Sequence, residues 1–202
     1  VAEEEAAAGR IPKTGAEFLL VDPLDGTREF VNKRDEFTVN IALIRDKRPV
    51  FGLVYAPATK ELYVTLGAAR CAQGMLDPDA TPAADPLKTL HDIRARAVDM
   101  SGLVVLASRS HMDDETKAFI ARHHVKETRN AGSSLKFCVI ARGDADLYPR
   151  FGPTMEWDTA AGQAVLAAAG GAVTMLDGTP FLYGKTAEAF LNPGFLAWGR
   201  RG

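Results

Sequence analysis

Residues 18–30 read Phe-Leu-Leu-Val-Asp-Pro-Leu-Asp-Gly-Thr-Arg-Glu-Phe, and this stretch carries the strongest structural signal in the chain. The apolar run at residues 18–21 has no polar alternation, which predicts a strand buried on both faces. Proline cannot continue a sheet ladder, so we expect the strand to end at Asp22-Pro23 and a turn to follow through Thr27.

A turn of this kind can fold two carboxylates toward one point. Asp22 follows the strand at its carboxyl end, where open α/β sheets bind ligands, and Asp25 lies across a Pro-Leu turn. Two like charges held close repel each other, and a shared cation or a proton relieves the repulsion. Oxygen ligands suit Mg²⁺, and Gly26 and Thr27 offer N–H groups and a hydroxyl to an anion beside the metal. A tight turn with a capping Asp is the alternative interpretation.

The flanking sequence predicts two lobes. Short polar or proline-marked links separate three predicted strands at residues 38–44, 50–55 and 61–66, a pattern typical of an antiparallel meander. Residues 67–100 contain several prolines and predict a loop-rich boundary. We therefore expect an N-terminal lobe at residues 1–100 and a C-terminal α/β lobe at residues 101–202.

In the second half, predicted strands near Val104, Asp146, Val173 and Phe195 alternate with helices, so the fold class is α/β. The helices are predicted at residues 113–123, 133–142 and 158–169. The last one is rich in Ala and Gly, which favours close packing against another element. Such packing would bring Asp158, at its N-terminus, to a shared site, whereas helix capping is the alternative role for this residue.

Composition excludes several classes of protein. The 202 residues include 24 basic and 26 acidic side chains, a net charge of −2, which argues against a chain that coats nucleic acid or an anionic membrane. Hydrophobic residues make up 47%, which is ordinary globular composition. Cys71 and Cys138 lie far apart in sequence and predict no disulfide framework, so we expect a reducing, cytoplasmic compartment.

Three acidic segments follow one another along the chain: Glu3-Glu4-Glu5, then DPLDGT at 22–27, then WDTAAG at 157–162. This order resembles the lithium-sensitive, magnesium-dependent phosphatase superfamily that includes the inositol monophosphatases. Longer strings resemble its CysQ-type 3′(2′),5′-bisphosphate nucleotidases. They lie at residues 22–30, 36–43, 132–137, 147–153 and 191–195.

The resemblance implies a layered αβαβα sandwich of the inositol monophosphatase/fructose bisphosphatase type, with the metals between two lobes. The family carries an N-terminal helical pair before its Glu-Glu motif, and we expect this part to be missing here. The implied cofactor is Mg²⁺, as two or three ions. Its implied ligands are Glu3 (Glu4 in the alternative register), Asp22, the carbonyl of Leu24, Asp25 and Asp158.

The resemblance also implies a substrate-binding set. Gly26 and Thr27 match the groups that hold the reacting phosphate, and Thr27 helps to orient the attacking water. A second phosphate needs cations and N–H donors, which Ser133, Lys136 and Arg150 would supply. The full predicted set is Leu24, Gly26, Thr27, Arg28, Ser133, Lys136 and Arg150. Trp157 is expected to pack beside Asp158, and a place for His111 in the nucleoside cleft is left open.

The implied reaction is hydrolysis of the 3′-phosphate of adenosine 3′,5′-bisphosphate to AMP and phosphate by a metal-activated water, in sulfate assimilation. The implied catalytic residues are Glu3, Asp22, Asp25, Thr27 and Asp158. Activity on 3′-phosphoadenylyl sulfate is left open. The alternatives are an inositol-1-monophosphatase or other sugar phosphatase, and a non-catalytic nucleotide- or metal-binding fragment. We expect a small-molecule partner and no nucleic acid polymer, and the sequence leaves homodimerisation and peripheral membrane association open.

Overall fold

The computed structural model describes residues 1–80, 86–107 and 113–201, and its first half is built on a six-stranded antiparallel sheet with the strands in chain order. The strands are β1 (Glu17–Asp25), β2 (Thr38–Arg45), β3 (Arg48–Ala56), β4 (Glu61–Gly67), β5 (Arg70–Met75) and β6 (His91–Ile93). Two short helices, α1 (Glu3–Ala7) and α2 (Thr27–Val31), flank β1 in sequence. The predicted meander at residues 38–66 is confirmed as β2 to β4.

Strand β1 differs from its prediction in two ways. It continues through Pro23 to Asp25, because β1 is an edge strand and an irregularity there accommodates a residue without an N–H donor. It is also buried on one face only: Leu20 is buried, whereas Leu19 is 50% exposed. This sheet is antiparallel and packs only one face on the core. The expectation that Asp22 marks a ligand site at the carboxyl end of an open α/β sheet therefore does not apply.

The predicted loop-rich boundary at residues 67–100 is also wrong in part, since it contains β5 and β6. Strand β5 was not predicted because Cys71, Ala72 and Gly74 lack the β-branched or aromatic side chains that are typical of strands. A Cβ added at Gly74 would lie 2.5 Å from the side chain of Leu90, so the small residue is needed for close packing. Residues 81–85 lie outside the described part of the chain.

The second sheet has five strands in the order β11-β13-β9-β7-β8. They are β7 (Leu103–Ala107), β8 (Val125–Asn130), β9 (Leu147–Arg150), β11 (Ala172–Met175) and β13 (Phe195–Trp198). Strand β7 runs parallel to β8 and β9, whereas β13 is antiparallel to β9 and β11. A separate two-stranded ladder joins β10 (Thr154–Met155) to β12 (Leu191–Asn192). Strand β8 was not predicted.

The three predicted helices are present as α3 (Asp114–Ala121), α4 (Leu135–Ala141) and α5 (Glu156–Ala168). Asp113 caps α3, as predicted, by accepting the N–H of Thr116 at 2.7 Å. Helix α5 begins two residues earlier than expected, so Asp158 is its third residue and not its cap. This shift matters for the site, because a third-position carboxylate can reach back to the residue before the helix.

Helices α4 and α5 lie between the two sheets and join them in one apolar core. The close packing predicted from the small residues of α5 is confirmed. A Cβ added at Gly52 of β3 would lie 2.3 Å from the carbonyl of Ala161, and one added at Gly162 would lie 2.5 Å from the Phe137 ring. The helix that carries Asp158 is therefore pressed against both β3 and α4.

The described residues build a layered α/β fold in the order sheet, helices, sheet, helix, with α3 on the far side of the second sheet. The free face of the six-stranded sheet carries apolar side chains that stay partly exposed, among them Leu19, Val21 and Ile41. None of the helices in the described ranges is both long enough and apolar enough to cross a membrane.

Candidate active site

The carboxylates of Asp22 and Asp25 face the same side of the sheet because β1 is irregular between them. Two strand residues three apart normally point to opposite faces. Here Asp22 pairs with Asn40 and Asp25 pairs with Thr38, so three steps along β1 oppose two steps along β2. The extra residue is a β-bulge, which re-aims the following side chain. Both aspartates thereby face the inner side of the sheet.

Asp158 completes a cluster of three carboxylates. One oxygen from each of Asp22, Asp25 and Asp158 lies within 4.8 Å of the other two. Asp22 is 1% exposed, and the other two are partly exposed. Residues separated by more than 130 positions thus converge because α5 packs across the inner face of the sheet, with its first turn at the end of β1.

Asp25 is held in place by four hydrogen-bond donors of the described residues, three to its carboxylate and one to its backbone carbonyl. Its Oδ2 accepts the N–H of Ser134 at 2.8 Å, the amide of Asn40 at 3.2 Å and the hydroxyl of Thr38 at 3.4 Å. Its backbone carbonyl accepts the hydroxyl of Ser133 at 3.1 Å. These bonds fix the carboxylate, and in the described part of the chain they leave its Oδ1 for the cluster.

Asp158 is fixed in a similar way by its own helix. Its Oδ2 accepts the N–H of Met155 at 2.8 Å, and its carbonyl accepts the hydroxyl of Ser134 at 2.6 Å. Ser134 therefore contacts both Asp25 and Asp158. The capping role and the site role are not exclusive here, because one oxygen of Asp158 caps the helix while the other faces the cluster.

Burial and nearby negative charge make the carboxyls of Asp22 and Asp158 hard to ionise. The loss of hydration raises the pKa of Asp22, and the nearby charges of Asp25 and Glu3 raise it further. The pKa of Asp158 is raised by burial and then by Asp25. Groups in this state favour either a proton or a cation, and a buried set of oxygen ligands of this kind suits Mg²⁺.

Glu3, in α1, lies beside the cluster. It is partly buried and raises the pKa of Asp22, whereas the carboxylate oxygens within 4.8 Å of one another belong to the three aspartates. Glu4 is exposed, and Glu5 forms an exposed ion pair with Arg10 at 2.6 Å. The geometry therefore favours the Glu3 register over the Glu4 alternative.

A cleft of about 320 Å³ opens beside the cluster. Most of the predicted site residues line it: Asp25, Gly26, Thr27, Arg28, Ser133, Lys136, Arg150 and Asp158. Asp22 is buried and is not among the residues that line the cleft. The Leu24 carbonyl accepts a hydrogen bond from the Thr27 hydroxyl at 3.2 Å. Two acids that the sequence analysis did not select, Glu29 and Glu36, also line the cleft.

Lys136 is more deeply buried than expected, at 4% exposed. Its Nζ donates to the carbonyls of Ser133 and Ala131 at 2.8 and 3.2 Å and lies 5.0 Å from the centre of the Tyr148 ring. Burial lowers its pKa to about 8. Two of its three donors are therefore engaged by the backbone of the loop that precedes α4.

That loop has an unusual backbone, which delays the start of α4 to Leu135. Ser133 adopts a left-handed conformation with φ 53°, a strained state that concentrates at functional sites. Gly132 is also constrained, because an added Cβ would lie 2.7 Å from Glu36. The expectation that Ser133 opens the helix is wrong, and its hydroxyl instead contacts Thr38 at 2.7 Å.

The sequence analysis missed the residues that hold Asp25. Thr38 and Asn40 occupy successive inward positions of β2 and are buried, whereas Ala42 and Ile44 continue the same face. Two polar residues on the core face of an otherwise apolar strand indicate buried hydrogen-bond partners, and this pattern was visible in the sequence. Ser134, which contacts both aspartates, had no comparable signal.

Trp157 packs away from the cleft, with its ring 6.1 Å from that of Phe190. It is buried beside Asp158, as expected, and does not line the cleft. His111, whose place in a nucleoside cleft was left open, lies outside the described residues.

Comparison with known proteins gives this cleft a family context. Residues 1–197 match the inositol monophosphatase family. The 3′(2′),5′-bisphosphate nucleotidase CysQ of Salmonella typhimurium is 42% identical over 195 residues, which are 96% of this chain and 73% of that protein. The CysQ protein of Escherichia coli K12 matches with the same identity and coverage.

Solved structures agree with the sequence relatives. The crystal structure of CysQ from Bacteroides thetaiotaomicron has a TM-score of 0.83 and 38% identity, covering 100% of this chain and 77% of that chain. An inositol monophosphatase from Zymomonas mobilis shares the fold, with a TM-score of 0.75 and 20% identity, covering 95% of this chain and 68% of that one. From the match over residues 1–197 and these relatives, the chain belongs to the inositol monophosphatase family.

Proposed function

We propose that this protein is a magnesium-dependent 3′(2′),5′-bisphosphate nucleotidase that hydrolyses the 3′-phosphate of adenosine 3′,5′-bisphosphate, a reaction of sulfate assimilation. The observation that carries the proposal is the convergence of Asp22, Asp25 and Asp158 within 4.8 Å. They lie at the edge of a cleft that is also lined by the cationic side chains of Arg28, Lys136 and Arg150. Similarity to CysQ proteins supports the choice of substrate.

In this proposal the metal ligands are Glu3, Asp22, Asp25, Asp158 and the carbonyl of Leu24. The family is metal-dependent, and the buried oxygen donors fit Mg²⁺ because hard cations prefer such ligands. When bound, Mg²⁺ supplies Lewis-acid activation of water and neutralises charge that develops on the leaving oxygen. We propose two or three ions.

The chain's own residues would position the reacting phosphate. Gly26 and Thr27 line the cleft beside Asp25, and backbone N–H groups in such a turn are suited to phosphate oxygens. Because the Thr27 hydroxyl donates to the Leu24 carbonyl, its lone pairs are available to accept a hydrogen bond from a water. That arrangement would orient the water for attack on the side of the metal ligands.

The second phosphate would bind across the cleft. Arg150 donates to the carbonyls of Gly152 and Pro153, both at 3.2 Å, and its fork of five N–H groups has donors to spare. Among the described residues, the hydrogen bonds of Lys136 use two of its three donors, and the exposed Arg28 also lines the cleft. An inositol monophosphate has no second phosphate for these cations, which favours the bisphosphate.

We also propose that the protein works as two lobes, residues 1–100 and 101–202. The division falls between the two sheets, and the cleft takes its walls from both halves. The small-molecule substrate would enter between them. Operation in the cytoplasm is consistent with the free, buried thiols of Cys71 and Cys138.

A substrate panel tests the proposal. Phosphate release is measured with adenosine 3′,5′-bisphosphate and with inositol 1-phosphate, with Mg²⁺ and with EDTA, and with Asp25→Asn as the inactive control. We expect Mg²⁺-dependent release, faster from the bisphosphate. Faster release from inositol 1-phosphate would favour the monophosphatase alternative, and binding without release would favour the non-catalytic one.

A further inference from the structure

Behind Asp158 lies a buried ion pair that none of the roles above uses. Glu156, the first residue of α5, is 0% exposed, and the Nζ of Lys185 lies 3.2 Å from its Oε1. The backbone N–H groups of Gly184 and Lys185 donate to the two carboxylate oxygens of Glu156 at 2.8 and 2.9 Å. The pair therefore fastens the start of α5 to the segment before β12.

The Lys185 ammonium is fully occupied by the protein. Besides Glu156 it donates to the carbonyl of Leu182 and to Oδ1 of Asn192, the latter at 3.0 Å. It also lies over the rings of Phe181 and Tyr183, 5.1 and 5.3 Å from their centres. An ammonium has three donors, and all three have acceptors here, so none is left for a substrate.

Asn192 carries the connection to the metal cluster. Its Nδ2 donates to the carbonyl of Met155 and to the hydroxyl of Thr159, both at 3.0 Å. The N–H of that same Met155 donates to Oδ2 of Asp158 at 2.8 Å. A further hydrogen bond holds the start of α5, because the Glu156 N–H donates to the carbonyl of Phe190 at 2.9 Å. The residue that holds the Asp158 carboxylate is thus itself held by Asn192.

We propose that Lys185 and Asn192 are positioning residues, which set the orientation of the Asp158 carboxylate toward the metal through Glu156 and Met155. This inference rests on the proposed function, because it takes Asp158 as a metal ligand. Partners that orient a ligand typically change metal affinity by about 10- to 100-fold when they are removed. A network that only stabilised the fold would not change metal affinity in the folded protein.

The chain offers a matched control for removing the cationic partner of a buried carboxylate. Asp146 is also a buried carboxylate with a partly exposed cationic partner, Arg96, at 2.6 Å, and it also accepts a backbone N–H, from Val104 at 2.7 Å. This pair joins the residue before β9 to the segment before β7, and its hydrogen bonds within the described residues involve no member of the carboxylate cluster. Arg96→Met therefore imitates the loss of an ion pair in the core without touching Asp158.

The test measures Mn²⁺ binding to the full chain by electron paramagnetic resonance of the free ion, without substrate. We expect Lys185→Met to weaken Mn²⁺ binding by about tenfold or more, whereas Arg96→Met binds as the wild type does. Asn192→Ala, which keeps the ion pair, provides a second measurement if Lys185→Met does not fold, and we expect it to weaken binding as well. Lys185→Arg, which keeps the charge, should recover part of the affinity.

The outcomes separate this inference from the proposed function. If Asp158→Asn weakens Mn²⁺ binding but the folded Lys185→Met and Asn192→Ala variants bind as the wild type does, the positioning role is overturned and the metal site stands. Equal weakening by Arg96→Met would overturn it too, because the effect would then be one of general stability. If Asp158→Asn itself binds as the wild type does, the metal site fails and the inference fails with it.

Discussion

Replacing Asp25 with Asn should stabilise the metal-free protein while removing its activity. The side chain keeps its shape, and its oxygen can accept the same bonds from Ser134, Asn40 and Thr38 that Oδ2 accepts now. The amide nitrogen would then take the place of Oδ1 and point an N–H group at the cluster. The substitution removes one negative charge without opening a cavity.

The size of the effect follows from the spacing of the carboxylates. The carboxylate oxygens of the three aspartates lie within 4.8 Å of one another, so each ionised pair repels by about 3.5 kcal/mol or more at an effective dielectric constant of about 20. Partial protonation already relieves some of this repulsion, because the pKa values of Asp22 and Asp158 are raised. We expect a net gain of about 2 kcal/mol at pH 8, or about 4 to 8 °C in Tm for a chain of this size.

The assay is thermal unfolding at pH 8 in EDTA and again with Mg²⁺, alongside phosphate release from adenosine 3′,5′-bisphosphate. Asp79→Asn, an exposed position remote from the cluster in sequence, is the control for the change in net charge. In EDTA the Asp25→Asn protein should melt above the wild type, and Mg²⁺ should stabilise only the wild type. An Asp25→Asn protein that melts at or below the wild-type temperature in EDTA would refute the claim that these carboxylates repel one another.

Three further predictions concern the same site. Without divalent cations, the free energy of unfolding should fall as pH rises from about 5 to about 8, because the raised pKa values of Asp22 and Asp158 mean that the folded chain binds more protons than the unfolded chain over this range; a melting temperature in EDTA that is flat or rising would contradict it. Lys136→Ala should reduce hydrolysis of the bisphosphate more than that of inositol 1-phosphate, by about 10- to 150-fold for one charge-assisted hydrogen bond; equal losses in the two assays would remove the specificity argument. Gly52→Ala should cost about 1 to 3 kcal/mol of stability by overpacking and weaken Mg²⁺ activation, since its Cβ would lie 2.3 Å from the carbonyl of Ala161 and push α5 from the sheet; denaturant unfolding and a Mg²⁺ titration check both effects.

Local chemistry made much of the site readable in advance. The turn residues after an apolar run marked Asp22 and Asp25, and the small residues of α5 predicted the close packing that brings Asp158 to them. The strands β2 to β4 were readable because short proline-marked or charged links separate them. Each of these signals lies within about ten residues of sequence, where propensity and pattern are informative.

Other features depend on contacts between segments that lie far apart in the sequence. The donors that orient Asp25 come from β2 and from the loop before α4, and the choice of Glu3 over Glu4 depends on how α1 meets β1. Strand β8 is almost entirely exposed and polar, so its pairing with β7 could not be read from hydrophobicity.

The sequence by itself determined the kinds of groups at this site and their order along the chain, because turn chemistry, small-residue packing and motif spacing are local properties. Tertiary structure alone decided how those groups face one another. A single extra residue in β1 turns Asp25 toward Asp22, and packing of α5 against β3 closes the gap to Asp158. Distances of this kind depend on contacts between distant segments, and repulsion among the gathered carboxylates exists only once the fold has placed them together.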